Sequence, residues 1–196
     1  MLSISSRRVG NSRTLRNDFA VIAFLVGLDL AARLLPHAPD FTPIAATALF
    51  AASILRVRAL AVLVPIAGMM LGDAVLGSYD LRIMTVVYAT LSLPAGAAYL
   101  SSRLQPRLIT PMLLSSSLLF FLITNLAVWA FSPMYAASAA GLIKCYIAAL
   151  PFLRNMFAGD LFWGLVLFGS YWLAQKLQTA KSEASAAEAI ALPARL

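Results

Sequence analysis

The sequence predicts an all-α protein, an integral membrane bundle of six transmembrane helices. Three observations lead there. Of 196 residues, 61% are hydrophobic and only 12% are charged, against about 25% charged in an ordinary soluble domain. The apolar residues fall in runs near the roughly 20 residues a bilayer-crossing helix needs. The basic residues collect at the ends of those runs on one predicted side. A mean hydropathy of +0.85 agrees and excludes a soluble enzyme or nucleic-acid binder.

Each span follows from its punctuation. Residues 1–17 form a polar arm rich in Arg and Ser, read as a cytoplasmic basic arm ahead of a retained first span rather than a cleaved leader. Span one covers about 18–35 and stops at Pro36. Span two, 42–55, is short. Span three, 59–78, ends at Gly77-Ser78. Span four covers 82–101, and span five covers 109–131 before Ser132-Pro133. Span six is placed at 155–175. The connection 132–154 is semi-apolar. Its stretch AASAAGLIKCYIAAL is expected to be an interfacial or re-entrant cap that Pro151 stops. The transmembrane domain is thus 18–176, followed by an Ala-rich tail, 177–196, expected to be flexible or a frayed helix.

Basic residues set the direction. With the N-terminus inside, the inner side carries Arg7, Arg8, Arg13, Arg16, Arg56, Arg58, Arg103, Arg107, Lys176, Lys181 and Arg195. The outer side has only Arg33, Arg82, Lys144 and Arg154. Both termini are therefore expected in the cytoplasm. Chemistry is not expected. Cys145 is the single cysteine and His37 the single histidine, which leaves no cysteine-based zinc site and no histidine cluster. There is no P-loop or dinucleotide fingerprint. No cofactor and no metal are expected. Cys145 reads as a buried small hydrophobe and His37 as a loop residue that could touch a ligand.

Polar groups inside the spans are the candidates for function, because each charge costs roughly 2.5–3.5 kcal/mol at the helix centre on insertion scales. Counting 1.5 Å per residue, Asp29, Asp73, Asn125 and Asp160 each fall about 8–9 Å below the predicted outer ends of four spans. Phe121, Asn125 and Trp129 share a face at i, i+4, i+8 spacing, and Asp160 shares one with Trp163. The expected ligand-binding set is Asp73, Asn125, Trp129, Tyr135, Asp160, Trp163 and His37, converging on one outward-facing pocket beneath the 132–154 connection. The competing interpretation is an interfacial aromatic belt and helix-joining hydrogen bonds. Asp29 has a local alternative too, since Arg33 one turn on can pair with it. Lys144 and Arg154 could attract an anion or simply snorkel.

Small residues offer close helix approach. Ala23, Gly27 and Ala31 form a ladder on span one. Gly68 and Gly72, the run PAGAA at 94–98, and Ser115 to Ser117 add others. They serve either packing inside the monomer or docking of another membrane protein.

The segments RLLPHAPDFTPIAATALFAA, the Gly-Asp run at 72–77, FFLITNLAVWAFSPMY and GLIKCYIAALPFLRNMFAGDLFW resemble an uncharacterised bacterial family of small membrane proteins. That family in turn looks like the substrate-binding S components of energy-coupling-factor (ECF) transporters. The resemblance implies an S-component-like six-helix fold and a pocket for a vitamin-like micronutrient loaded from outside. It further implies docking through small residues of the first helix, here Ala23, Gly27 and Ala31, onto a transmembrane coupling protein with ATPases. Membrane lipid and a small-molecule micronutrient are the expected partners, with no nucleic acid. The alternative is a structural or assembly subunit of a larger membrane complex.

Overall fold

The structure, a computed structural model, describes residues 4–100 and 105–191. Arg103 and Arg195 of the charge argument lie outside the described residues. The described residues form helices without strands: α1 (Ile4–Leu34), α2 (Ile44–Ile54), a 3₁₀ turn (Arg58–Val62) leading into α3 (Leu63–Leu76), α4 (Leu81–Leu91), α5 (Leu93–Leu100), α6 (Pro106–Phe131) and α7 (Ala139–Ala191). The 3₁₀ turn runs into α3, and α4 runs into α5, so these make six helical rods.

Four rods are long and apolar enough to cross a membrane: Arg58–Leu76, Leu81–Tyr99, Pro106–Phe131 and Ala139–Ala187. The other two fall short for identifiable reasons. The apolar part of α1 carries Asp18, Asp29 and Arg33. The 11-residue α2 reaches only about 16 Å, half of a roughly 30 Å hydrocarbon core.

The short helix is the centre of the bundle. Eight of its residues, including Ala46, Thr47, Leu49 and Phe50, are buried, and a helix apolar all round must be enclosed. Leu25, Val64, Ala95, Ala98, Ile109, Leu113, Leu167 and Phe168 pack around it. The connections 35–43, 77–80 and 132–138 gather at one end of the bundle, called the upper end below.

α1 and α3 run parallel with an offset of about 39 residues, fixed at three levels. At the bottom, the Asp18 carboxylate accepts from the backbone N–H of Arg56 (3.5 Å) and Val57 (3.3 Å), at the start of the 3₁₀ turn. In the middle, Gly68 leaves room for Asp29, since a Cβ there would lie 2.9 Å from the Asp29 Cβ. Above, Gly72 leaves room for Arg33, and any added Cβ would meet the Arg33 Cδ at 2.9 Å. The Gly68 and Gly72 ladder therefore packs inside the monomer. The span-one ladder does not. Ala23, Gly27 and Ala31 are exposed, and a Cβ at Gly27 would meet nothing within 4 Å.

Pro151 does not stop a helix. α7 runs for 53 residues through it, so the expected cap and span six are one element. Proline removes one backbone donor and breaks helices in water, but it is tolerated inside membrane helices. The sequence 177–191 continues as helix. α7 leaves α6 around this proline. Tyr146 donates to the Leu122 carbonyl at 2.7 Å, and Ser117 bonds Asp160. Between those contacts α7 advances about 21 Å along its axis while α6 advances about 7.5 Å. The 35–43 connection sits beside the diverging stretch. Asn155 Nδ2 donates to the Pro39 carbonyl at 3.0 Å, the Phe41 and Phe162 rings lie 5.7 Å apart, and Gly159 meets the Phe41 backbone so closely that a Cβ would sit 3.2 Å from its Cα. Asp40 takes a left-handed φ of 61° in this turn, which a short polar side chain tolerates.

Candidate functional site

A cavity of about 470 Å³ runs down from the upper end, within the roughly 300–1,000 Å³ range of small-molecule sites. Its lining is regular because it follows two antiparallel helix faces. α4 and α5 contribute Ile83, Val87, Thr90, Leu91 and Pro94, while α6 contributes Ser116, Ser117, Phe120, Thr124 and Val128. Both sets recur at three- and four-residue steps, one face of a helix. Arg82 fixes the register above by donating to the Phe131 carbonyl (3.3 Å) and lying over the Phe131 ring (5.0 Å to its centroid). From Ser132 to Ser117 the slot is about 22 Å long.

The slot is mostly apolar, with hydroxyls at Thr42, Thr90, Ser116, Ser117, Thr124 and Ser132. The Ser116, Thr124 and Thr90 hydroxyls are tied down by their own helices. Thr124 Oγ1 donates to the Phe120 carbonyl (2.7 Å) and Thr90 Oγ1 to the Val86 carbonyl (2.6 Å). Three charged residues line it: Arg33, Asp40 and Asp160.

Arg33 is not free. Its Nη2 donates to Asp73 Oδ1 at 2.6 Å and its Nη1 to the Met69 sulfur at 2.7 Å. Tyr88 donates its hydroxyl to Asp73 Oδ2 at 2.6 Å. Asp73 is thereby satisfied behind the wall, and the local Asp29–Arg33 pair expected from sequence does not form. Asp29 instead accepts from Thr47 Oγ1 at 2.9 and 3.0 Å on its two oxygens and is fully buried. The reason is geometric. Gly72 lets the long guanidinium cross to α3, while the shorter Asp29 faces α2.

Asp160 is 5% exposed and lines the slot. Its hydrogen bond among the described residues comes from Ser117 Oγ. Since Ser117 lies 14 residues below the end of α6, Asp160 sits about 21 Å down, not 8 Å. The sequence reading started its helix at 155, and the helix starts at Ala139. Asn125 lies about 9 Å down, so the expected single polar layer is two levels.

The remaining nominated residues are placed elsewhere. Asn125 Nδ2 donates to the Phe121 carbonyl (2.8 Å), while its own carbonyl faces the Cys145 thiol (3.5 Å). Trp129 Nε1 donates to the Ala136 carbonyl (3.0 Å), bracing the turn into α7. Trp163 packs against the core around α2, edge-on to Phe162, and its buried Nε1 has no partner among the described residues. Tyr135 is half-buried in the 132–138 connection. His37 is exposed, with Nδ1 2.6 Å from the Ala38 carbonyl. Asp160 alone of the nominated set lines the cavity, so Asp73, Asn125, Trp129 and Asp160 do not converge on one pocket. The expectation of a covering lid holds in part: Ser132 and Met134 of one connection and Asp40 and Thr42 of the other line the upper part.

Tyr79 also lines this upper part. Burial pushes its hydroxyl above the ordinary tyrosine value, and the Asp73 charge adds to that. Beside it, hydrogen bonding from Arg82 holds the Asp80 carboxyl down at about 2. Among the described residues no group of three or more His, Cys, Asp or Glu could hold a metal ion.

These features define a helical membrane protein with a slot-like cavity among its helices. The chain belongs to the Family of unknown function (DUF6580), whose model matches residues 13–184. No curated protein and no solved structure matches it.

Proposed function

We propose that this protein is a membrane-embedded binding component for uptake of a small, vitamin-like micronutrient, with no catalysis of its own. The observation that carries the reading is the 470 Å³ cavity, which runs from the connections at one end to a buried acid about 21 Å below. An apolar slot with a few convergent polar groups is the ordinary form of a ligand site. Under this reading the upper end faces outward at a bacterial plasma membrane with both termini inside, which the split of basic residues supports.

Likeness to ECF S components is part of the proposal. It rests on six helical rods, the size of the chain and the orientation that the basic residues predict. Under this reading the exposed stripe Ala23–Gly27–Ala31 meets a transmembrane coupling protein, since small residues permit close backbone approach. One observation favours the second reading, a structural subunit of a larger complex. Asn125 spends its donor on a carbonyl of its own helix and Trp129 on the turn into α7, so both serve the scaffold rather than a ligand.

Small-molecule mass spectrometry of protein purified in mild detergent separates the two. A stoichiometric small molecule released on denaturation supports uptake. Its absence, together with co-purifying membrane subunits, supports the structural reading.

A further inference from the structure

The cavity has an uneven charge balance that narrows the ligand. Of its three charged lining residues, Arg33 is neutralised by Asp73 at 2.6 Å. Asp40 near the mouth and Asp160 deep in the slot are left, both acidic. Asp160 receives a single hydrogen bond among the described residues, from Ser117, although a carboxylate offers about four acceptor positions. A buried carboxylate at this depth is expensive unless it is paired or protonated. Opposing these acids is the first turn of α2, where Ile44 and Ala45 lie in the wall. A helix N-terminus carries only about half a positive charge.

Resting on the binding function proposed above, we propose that Asp160 anchors the protonated amine of an organic cation whose apolar body fills the slot. Val87, Leu91 and Phe120 supply the walls around that body, and Ser117 holds the carboxylate toward it. Asp40 stands where such a cation enters. Among the described residues the cavity offers an anionic ligand no unpaired cation, because Arg33 is paired with Asp73 and its unpartnered Nε is buried against Gly72.

The test uses three probes of similar size: 2-phenylethylamine, 2-phenylethanol and 3-phenylpropanoate. Each is titrated against thermal unfolding of the full chain in non-ionic detergent near neutral pH. A hydrogen bond to a charged group is worth enough to make the amine roughly ten-fold tighter than the alcohol. That preference is expected in the wild type and is expected to vanish in Asp160→Asn. The wild-type ranking is decisive even if the variant fails to fold. A preference for the carboxylate, lost when Val87→Trp fills the slot, overturns the cation assignment and leaves the binding cavity standing. Equal shifts with all three, or none with any, overturn the cation assignment, and an unaltered response in Val87→Trp removes the cavity reading as well.

Discussion

Arg33 donates to Asp73, forty residues along the chain, rather than to Asp29 one helical turn below it. Its Nη2 meets the carboxylate at 2.6 Å because Gly72 has no side chain to block the crossing. The contact ties α1 to α3 and neutralises Arg33, the one cation that lines the cavity among the described residues. It also lets Asp29 turn to Thr47 and hold the central helix.

Breaking this pair from one side leaves a charge stranded. Asp73→Leu should destabilise the protein by about 3–5 kcal/mol, the usual result for a buried pair, reduced somewhat because Arg33 is 18% exposed. The double variant Arg33→Met, Asp73→Leu should recover most of that loss. Thermal unfolding in detergent measures both. A double variant as unstable as the single one would show that the ion pair is not the main contact there.

The two glycine ladders should respond in opposite ways. Gly68→Ala puts a methyl 2.9 Å from the Asp29 Cβ and should cost about 1–3 kcal/mol through overpacking. Gly27→Leu projects into open space and should leave the isolated protein's unfolding temperature unchanged. Pull-down of membrane partners should lose any coupling protein with Gly27→Leu. A Gly27→Leu protein that unfolds on its own would make the stripe part of the internal packing.

Trp129 is expected to be structural. Trp129→Phe removes the bond to the Ala136 carbonyl and should cost about 1 kcal/mol, with no change in the small molecules that co-purify. A loss of those molecules at unchanged stability would return Trp129 to the binding site.

Much of the scaffold was legible because bilayer thickness and punctuating residues dictate it. Pro36, Gly77-Ser78 and Ser132-Pro133 end rods close to where α1, α3 and α6 end. Pro151 is read as a stop by its rule in water, which does not carry over to membrane helices, where proline is tolerated. That one error displaced Asp160 by about 12 Å relative to Asn125. Arg33 was misassigned because sequence displays i, i+4 neighbours but not a helix forty residues away. The slot itself was readable in part. Phe120, Thr124 and Val128 recur every four residues on α6, and Ser116 to Ser117 sit one turn below. The aromatic face of Phe121, Asn125 and Trp129 drew attention away, yet it packs toward the first turns of α7.

Topology is tested separately. A reporter fused after residue 178 should give a cytoplasmic signal, as the eleven inner against four outer basic residues require. A periplasmic signal would mean that the stretch 136–150 spans the membrane by itself or that one of the six predicted spans does not.

The central claim is that the slot between α4 and α6 holds a small molecule, and filling the slot tests it most directly. Val87 is 9% exposed and lines the slot opposite α6, so Val87→Trp should block it. Thr124→Trp does the same from the facing helix. Native mass spectrometry of wild type and both variants, each monodisperse in the same detergent, compares bound mass. The account predicts a bound small molecule on the wild type and none on either folded variant. The same bound mass on all three proteins would contradict it.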